Sequence, residues 1–148
     1  MLECCAGDGV VIKAIKDFFR RDFVVDAVEV REEEEPGLIQ YADDVYIQDF
    51  LTFAPSKEYK TIITNPPYSI AQEIVEHCFE IAPDAEIIML LRLAFLESKK
   101  RKEFWQKYPL SELYVLSERP SFTGKGTDST AYAWMVWNKN KYQRIEVI

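Results

Sequence analysis

Strand-length apolar runs alternate with segments of helical period along most of this chain, and that alternation leaves few folds open. Leu2–Cys4 reads as the tail of a first strand, followed by a glycine turn and a helix over Val10–Phe19 with Val11, Ile15 and Phe18 on one face. Phe23–Val28, Val45–Gln48, Thr61–Thr64 and Ala85–Leu91 follow as strands, with a helix after the fourth and another predicted over Leu96–Lys107, stopped by Pro109. This is the pattern of a mostly parallel sheet with helices on both faces. The rhythm then changes. Leu113–Leu116 and Ala131–Trp137 are strands with only the loop Ser117–Thr130 between them, so they must run antiparallel. The expectation is an α/β, Rossmann-like fold: a seven-stranded, mostly parallel sheet ending in an antiparallel hairpin.

Composition supports one folded domain, residues 1–148, since 48% of the residues are hydrophobic and 29% charged, enough for a sizeable core. Apolar runs such as Ile87–Leu91 are far too short to span a bilayer, and the N-terminus does not resemble a signal peptide. The expected location is therefore the cytoplasm, with no membrane partner. Cys4, Cys5 and Cys78 lack metal-ligand spacing and His77 is the single histidine, so no metal is expected. His77 and Cys78 instead fall in an amphipathic helical pattern. A net charge of −7 argues against broad wrapping of nucleic acid, but basic clusters remain at Lys99–Lys102 and towards the C-terminus at Lys125, Lys139, Lys141 and Arg144. Glu32–Glu35 reads as a solvated loop or a frayed helix, ended by Pro36 and Gly37.

Chemistry concentrates at the strand ends. Glu3, Ala6, Gly7 and Gly9 lie where the first strand hands over to its helix, a place where glycine allows a tight turn and close approach of a ligand to the backbone. Glu29 ends the second strand about 20 residues later, in position to accept hydrogen bonds from two ribose hydroxyls. Asp49 follows the third strand, where its oxygen can accept from an adenine amine, and Phe50 beside it can pack on the ring. Either acid alone would be an ordinary polar strand end; together, after a Gly-x-Gly turn, they favour an adenosine-bearing ligand.

The most specific feature is Asn65-Pro66-Pro67-Tyr68 at the end of the fourth strand. The exocyclic amine of adenine is a poor nucleophile because its lone pair is delocalised into the ring. The Asn65 side-chain oxygen and the Pro66 carbonyl can each accept one amino hydrogen, localising that lone pair. Two prolines stiffen the turn, and Tyr68 offers a face for an extruded base. Ser69, with Gln72 three residues on, reads as a capping box for a helix that buries Ile70, Ile74, Cys78 and Ile81.

The segments LECCAGDG, VEV, QDF and TNPPYS, in this order, resemble the class I S-adenosylmethionine-dependent methyltransferases that modify amino groups. LLRLAFLESKKR and SERPSFTGKGTDSTAYAWMVWNK look more narrowly like small phage and prophage DNA adenine methyltransferase-like proteins. The resemblance implies S-adenosylmethionine as cofactor, held at its methionine end by Glu3, Ala6, Gly7 and Gly9, at ribose by Glu29 and at adenine by Asp49. It makes Asn65, Pro66, Pro67 and Tyr68 catalytic. It implies methyl transfer to adenine N6, with DNA ahead of RNA as partner. RNA guanine N2, cytosine N4, protein glutamine, and a phage-derived domain with weak or no activity stay open as alternatives. Cys4 stands where relatives usually have proline. Relatives also carry a segment before the first strand that closes over the methionine tail; here Glu3 is the third residue, and the expectation is a domain without that wall. No insertion is large enough for a separate recognition domain, so specificity would come from loops, a partner or a dimer mate. In the last loop, Phe122 is expected to form the second wall of the base pocket, with Arg119 and Lys125 supplying charge for phosphate; a mobile surface loop with Phe122 tucked into the core is the alternative reading.

Overall fold

The computed structural model describes residues 1–19, 23–121 and 129–139. Seven strands form one sheet in the order β3-β2-β1-β4-β5-β7-β6. They are β1 (Leu2–Glu3), β2 (Asp26–Glu29), β3 (Val45–Ile47), β4 (Thr61–Thr64), β5 (Glu86–Arg92), β6 (Glu112–Val115) and β7 (Tyr132–Trp137). The first five are parallel; β7 lies antiparallel between β5 and β6. Strand order reverses between β1 and β4, and in sheets of this kind ligands bind outside the carboxyl ends of the strands at that reversal. Glu3 and Asn65 end or follow the two strands that flank it.

One core cluster holds Leu2, Ile62, Ile87, Met89 and Met135 of the sheet against Ile74, Val75 and Cys78 of helix α3 (Ala71–Ile81), with Phe104 and Trp105 of helix α4 (Lys102–Lys107). A smaller cluster on the other face packs Ile12 and Ile15 of helix α1 (Val10–Phe18) and Leu38 of the short helix α2 (Glu35–Leu38) against Val25 and Ala27. Among the described residues no helix is long and apolar enough to cross a membrane, and no group of three or more His, Cys, Asp or Glu could hold a metal ion.

Several local expectations are corrected. Helix α1 turns Ile12, Ile15 and Lys16 inward and leaves Phe18 81% exposed, because the left-handed turn at Gly9 starts the helix at Val10 and so fixes its phase. Lys16 can join the buried face because its amine reaches the Asp43 carboxylate. The second strand begins at Asp26 instead of Phe23: the Val25 N–H is taken by the Asp43 carboxylate at 2.7 Å, and Val25 O accepts from Asp43 N–H. Ser69 is not an N-cap. The chain turns immediately after Pro67, with Ile70 N–H donating to Pro67 O, so Ser69 lies inside a 3-10 turn and α3 starts at Ala71. Gln72 bonds Glu76 at 3.2 Å instead, and Ile70 is exposed. Glu32–Glu34 form a 3-10 turn and α2 continues from Glu35 through Pro36 and Gly37 instead of stopping there, since a first-turn proline has no N–H to lose. The helix predicted from Leu96 is broken at Glu97 and Ser98; the Ser98 hydroxyl accepts from Lys100 N–H at 3.2 Å and starts a new turn that runs into α4.

Candidate active site

The glycine turn is built from backbone conformation. Gly7 and Gly9 adopt φ of 57° and 78°, the left-handed region that side chains disfavour. At Gly9 a Cβ would also stand 3.1 Å from Leu38 Cδ2. Ala6 N–H donates to Val28 O at 3.0 Å, pinning the turn to β2. Glu29, at the end of β2, then reaches across: its Oε2 accepts from Gly7 N–H at 2.7 Å, and its Oε1 accepts from Arg31 N–H and Nε, each at 3.0 Å. Burial pushes this carboxyl up, but the hydrogen bonds from Arg31 and Gly7 outweigh it and hold Glu29 below the ordinary carboxylate range.

Glu3 is the opposite case. It is 1% exposed, and its Oε2 has no hydrogen-bond partner among the described residues. Burial, helped by the nearby Cys5, pushes its carboxyl well up, against the opposing pull of the Ile12 N–H. An orphaned, buried carboxyl oxygen beneath a glycine turn is suited to a ligand that brings its own donor or positive charge. Cys4 is buried and Cys5 half-buried; contact with Cys4 and burial push the Cys5 thiol up, so neither offers a thiolate nucleophile.

Asp49 caps the short turn Phe50–Thr52, its Oδ1 accepting from Leu51 N–H at 2.9 Å. Phe50 is 4% exposed and held edge-on by His77 at 5.0 Å, while His77 Nε2 lies 3.0 Å from Phe53 O. His77 and Cys78 thus serve helix packing, and Phe50 belongs to the core while still lining a narrow cleft with Glu29, Asp49, Leu51, Pro67 and Cys5.

β4 delivers the tetrapeptide. Tyr68 OH donates to Asn65 Oδ1 at 2.9 Å, and the Arg92 guanidinium lies 5.0 Å from the centre of the Tyr68 ring. Tyr132 packs on Tyr68 at 5.6 Å between centroids and accepts from Arg92 Nε at 3.3 Å. Asn65, Pro66, Pro67 and Tyr68 share a cavity of about 600 Å³ with Gly7, Glu29, Arg31, Arg92 and Tyr132. The structure therefore gathers the glycine turn, Glu29 and the tetrapeptide around one space, and sets Asp49 and Phe50 on the adjoining cleft. Arg119 is exposed on the hairpin loop; Phe122 and Lys125 lie outside the described residues. Sequence reasoning missed Arg31, Arg92 and Tyr132. Arg31 is two residues past Glu29, where a side chain reaches back over the strand end, and the pairing of β5 with β7 puts Arg92 opposite Tyr132.

No protein-family model and no curated protein matches the sequence. Solved structures do resemble the fold. PH1948 from Pyrococcus horikoshii, assigned as an RNA methyltransferase, superposes with a TM-score of 0.69 at 17% identity, covering 93% of this chain and 72% of that one. The 23S rRNA methyltransferase ErmE gives 0.65 at 22%, covering 99% and 62%. The Listeria monocytogenes protein lmo1582, assigned as a class I S-adenosylmethionine-dependent methyltransferase, gives 0.68 at 14%, covering 99% and 55%. The fold is that of the class I methyltransferases. This chain spans between 55% and 72% of the length of these three proteins.

Proposed function

We propose that the chain is a single methyltransferase domain that uses S-adenosylmethionine to methylate an exocyclic amino group of a nucleic-acid base, adenine N6 in DNA being the first choice. One observation carries this reading: Asn65 and Tyr68 face the same cavity as the Gly7 turn and Glu29. An amine held at the tetrapeptide would therefore lie beside a nucleoside held at the glycine turn.

The residues present fit the cofactor. Glu3 has a buried, unbonded oxygen at the end of β1 that would accept from an ammonium group if the turn above it opened, Gly7 and Gly9 leave the turn open to backbone approach, Glu29 would serve ribose, and Asp49 with Phe50 would border adenine. When bound, S-adenosylmethionine supplies an electrophilic methyl group. Asn65 Oδ1 and Pro66 O would accept the two hydrogens of the target amine and orient its lone pair, with Pro67 holding the turn rigid. Asn65 Oδ1 is already an acceptor, for Tyr68 OH. The incoming amine would take over that oxygen and release the Tyr68 ring to stack on the base. Phe122, Arg119 and Lys125 complete the proposed substrate contacts, with Phe122 as an opposite wall.

The second reading is an RNA base. It is favoured by the fold likeness to ErmE, a 23S rRNA methyltransferase, and to PH1948. Methyl transfer to matched DNA and RNA oligonucleotides, each with and without adenine, separates the two. Transfer to a glutamine-containing peptide alone would overturn both.

A further inference from the structure

A second cavity, of about 360 Å³, lies next to the tetrapeptide and shares Tyr68 and Arg92 with the cavity of the proposed active site. Its other walls include Ser69, Ala94, Phe95 and Arg101, and among the described residues no acidic side chain lines it. Arg101 is fixed in place: its Nε donates to Phe95 O at 2.8 Å, and its Nη2 donates to Glu97 O at 3.1 Å and Ala94 O at 3.3 Å. Its guanidinium also lies 4.6 Å from the centre of the Phe95 ring, which Phe104 and Trp105 hold edge-on from the core. Among the described residues no carboxylate forms an ion pair with Arg101. A guanidinium set by carbonyl groups and an aromatic ring keeps its full charge for an outside anion and loses little freedom on meeting one. The surrounding segment, residues 92–102, carries Arg92, Lys99, Lys100, Arg101 and Lys102 against Glu97 alone, in a chain of net charge −7. The local positive field is therefore set against the sign of the whole protein.

We infer that this cavity, together with the exposed Lys99 and Lys100 that precede Arg101 in the chain, binds the phosphodiester backbone of a single nucleic-acid strand beside the nucleotide presented to Asn65, with Arg101 as the phosphate contact inside the cavity and the two lysines as contacts outside it. The inference rests on the proposed nucleic-acid substrate and adds the path of the strand. Backbone contacts of this kind position the substrate without reading its sequence. The Arg92–Tyr68 stack forms the partition over which the base would pass from strand to active site.

The test uses the whole chain and fluorescence anisotropy with labelled single-stranded oligothymidylate, whose base has no exocyclic amine, so binding is read without methyl transfer. Two groove variants avoid the structural bonds of Arg101: K99Q/K100Q, on exposed residues, and S69E, which puts a charge into the cavity from an exposed side chain. K60Q, at the opposite end of the sheet, is the control. Each groove variant is expected to weaken binding at least tenfold. K99Q/K100Q should also flatten the dependence of log Kd on log salt by about 1.4, at ~0.7 per phosphate contact for single strands. K60Q should bind as the parent does, and thymidine monophosphate should compete poorly. Unchanged binding in both groove variants, no binding by the parent chain, or equal competition by the mononucleotide would overturn the inference. Methyl transfer to an adenine-containing strand separates it from the reading beneath it. Groove-dependent binding without transfer to any base leaves the strand path standing and removes the proposed activity. Transfer with an unchanged KM in both groove variants does the reverse.

Discussion

Arg31 holds the Glu29 carboxylate from two positions, with its backbone N–H and its Nε both donating to Oε1 at 3.0 Å. Because Gly7 N–H occupies Oε2, one acceptor position of the carboxylate remains where a ribose diol needs two. Arg31→Ala is therefore expected to bind S-adenosylmethionine as tightly as the parent or tighter, by up to about 1 kcal/mol, the net worth of one hydrogen bond. Glu29→Gln should weaken binding by about 1–3 kcal/mol, because it strands the ribose hydroxyls. Isothermal titration of both variants checks this; equal losses would make Arg31 a binding partner of the cofactor instead of a competitor.

The same carboxylate sets a pH dependence. Glu29 is held below its ordinary range in the folded protein, so the unfolded chain binds its proton first as pH falls. Its contribution to stability is present at neutral pH and is lost as pH drops below about 4.3 and through the folded value. The melting temperature of the parent should exceed that of Glu29→Gln near neutrality and converge with it under acid. A difference that stays constant across that range would contradict the assignment.

Glu3 should behave in the opposite sense. Its carboxyl is raised by burial, so above about pH 4.3 the folded state retains a proton that the unfolded chain releases, and stability falls as pH rises towards the folded value. Glu3→Gln keeps an acceptor for Ile12 N–H without the charge. It is expected to raise the melting temperature at neutral pH while weakening cofactor binding. A lower melting temperature would show that the carboxylate is stabilised by something other than a ligand.

How much of this was legible in the sequence depended on where the information lay. Strand count, the antiparallel end and the gathering of the Gly7 turn, Glu29 and Asn65 followed from periodicity and from residues at strand ends, because each is set within a few positions of the chain. The phase of α1 was not legible: one residue of rotation decides between Ile12 and Phe18, and Gly9 sets it through a backbone angle. Ser69 looked like a cap by spacing, yet Pro67 turned the chain a residue too early. That Phe50 is also a core residue was not legible, because its packing on His77 joins residues 27 positions apart. Arg92 and Tyr132 were missed for the same reason: they meet only because β7 inserts beside β5.

Tyr68→Phe removes the hydroxyl that now occupies Asn65 Oδ1 while keeping the ring. It is expected to retain most methyl transfer, whereas Tyr68→Ala should lose about 1–3 kcal/mol of strand binding with the lost stack. Anisotropy and turnover measured side by side test this. Loss of activity in Tyr68→Phe equal to that in Tyr68→Ala would assign the work to the hydroxyl instead.

The proposed role of Asn65 is to act on the target amine and not on the cofactor. Its most direct test is transfer of a labelled methyl group to an adenine-containing oligonucleotide by the parent chain and Asn65→Ala, with cofactor affinity measured on both. Transfer to the adenine strand and none to oligothymidylate is expected. Asn65→Ala is further expected to lower turnover on the order of 10²–10³-fold or more, with the cofactor Kd nearly unchanged. A cofactor Kd that rises in step with the lost turnover, or equal transfer to a strand without amino-bearing bases, would contradict it.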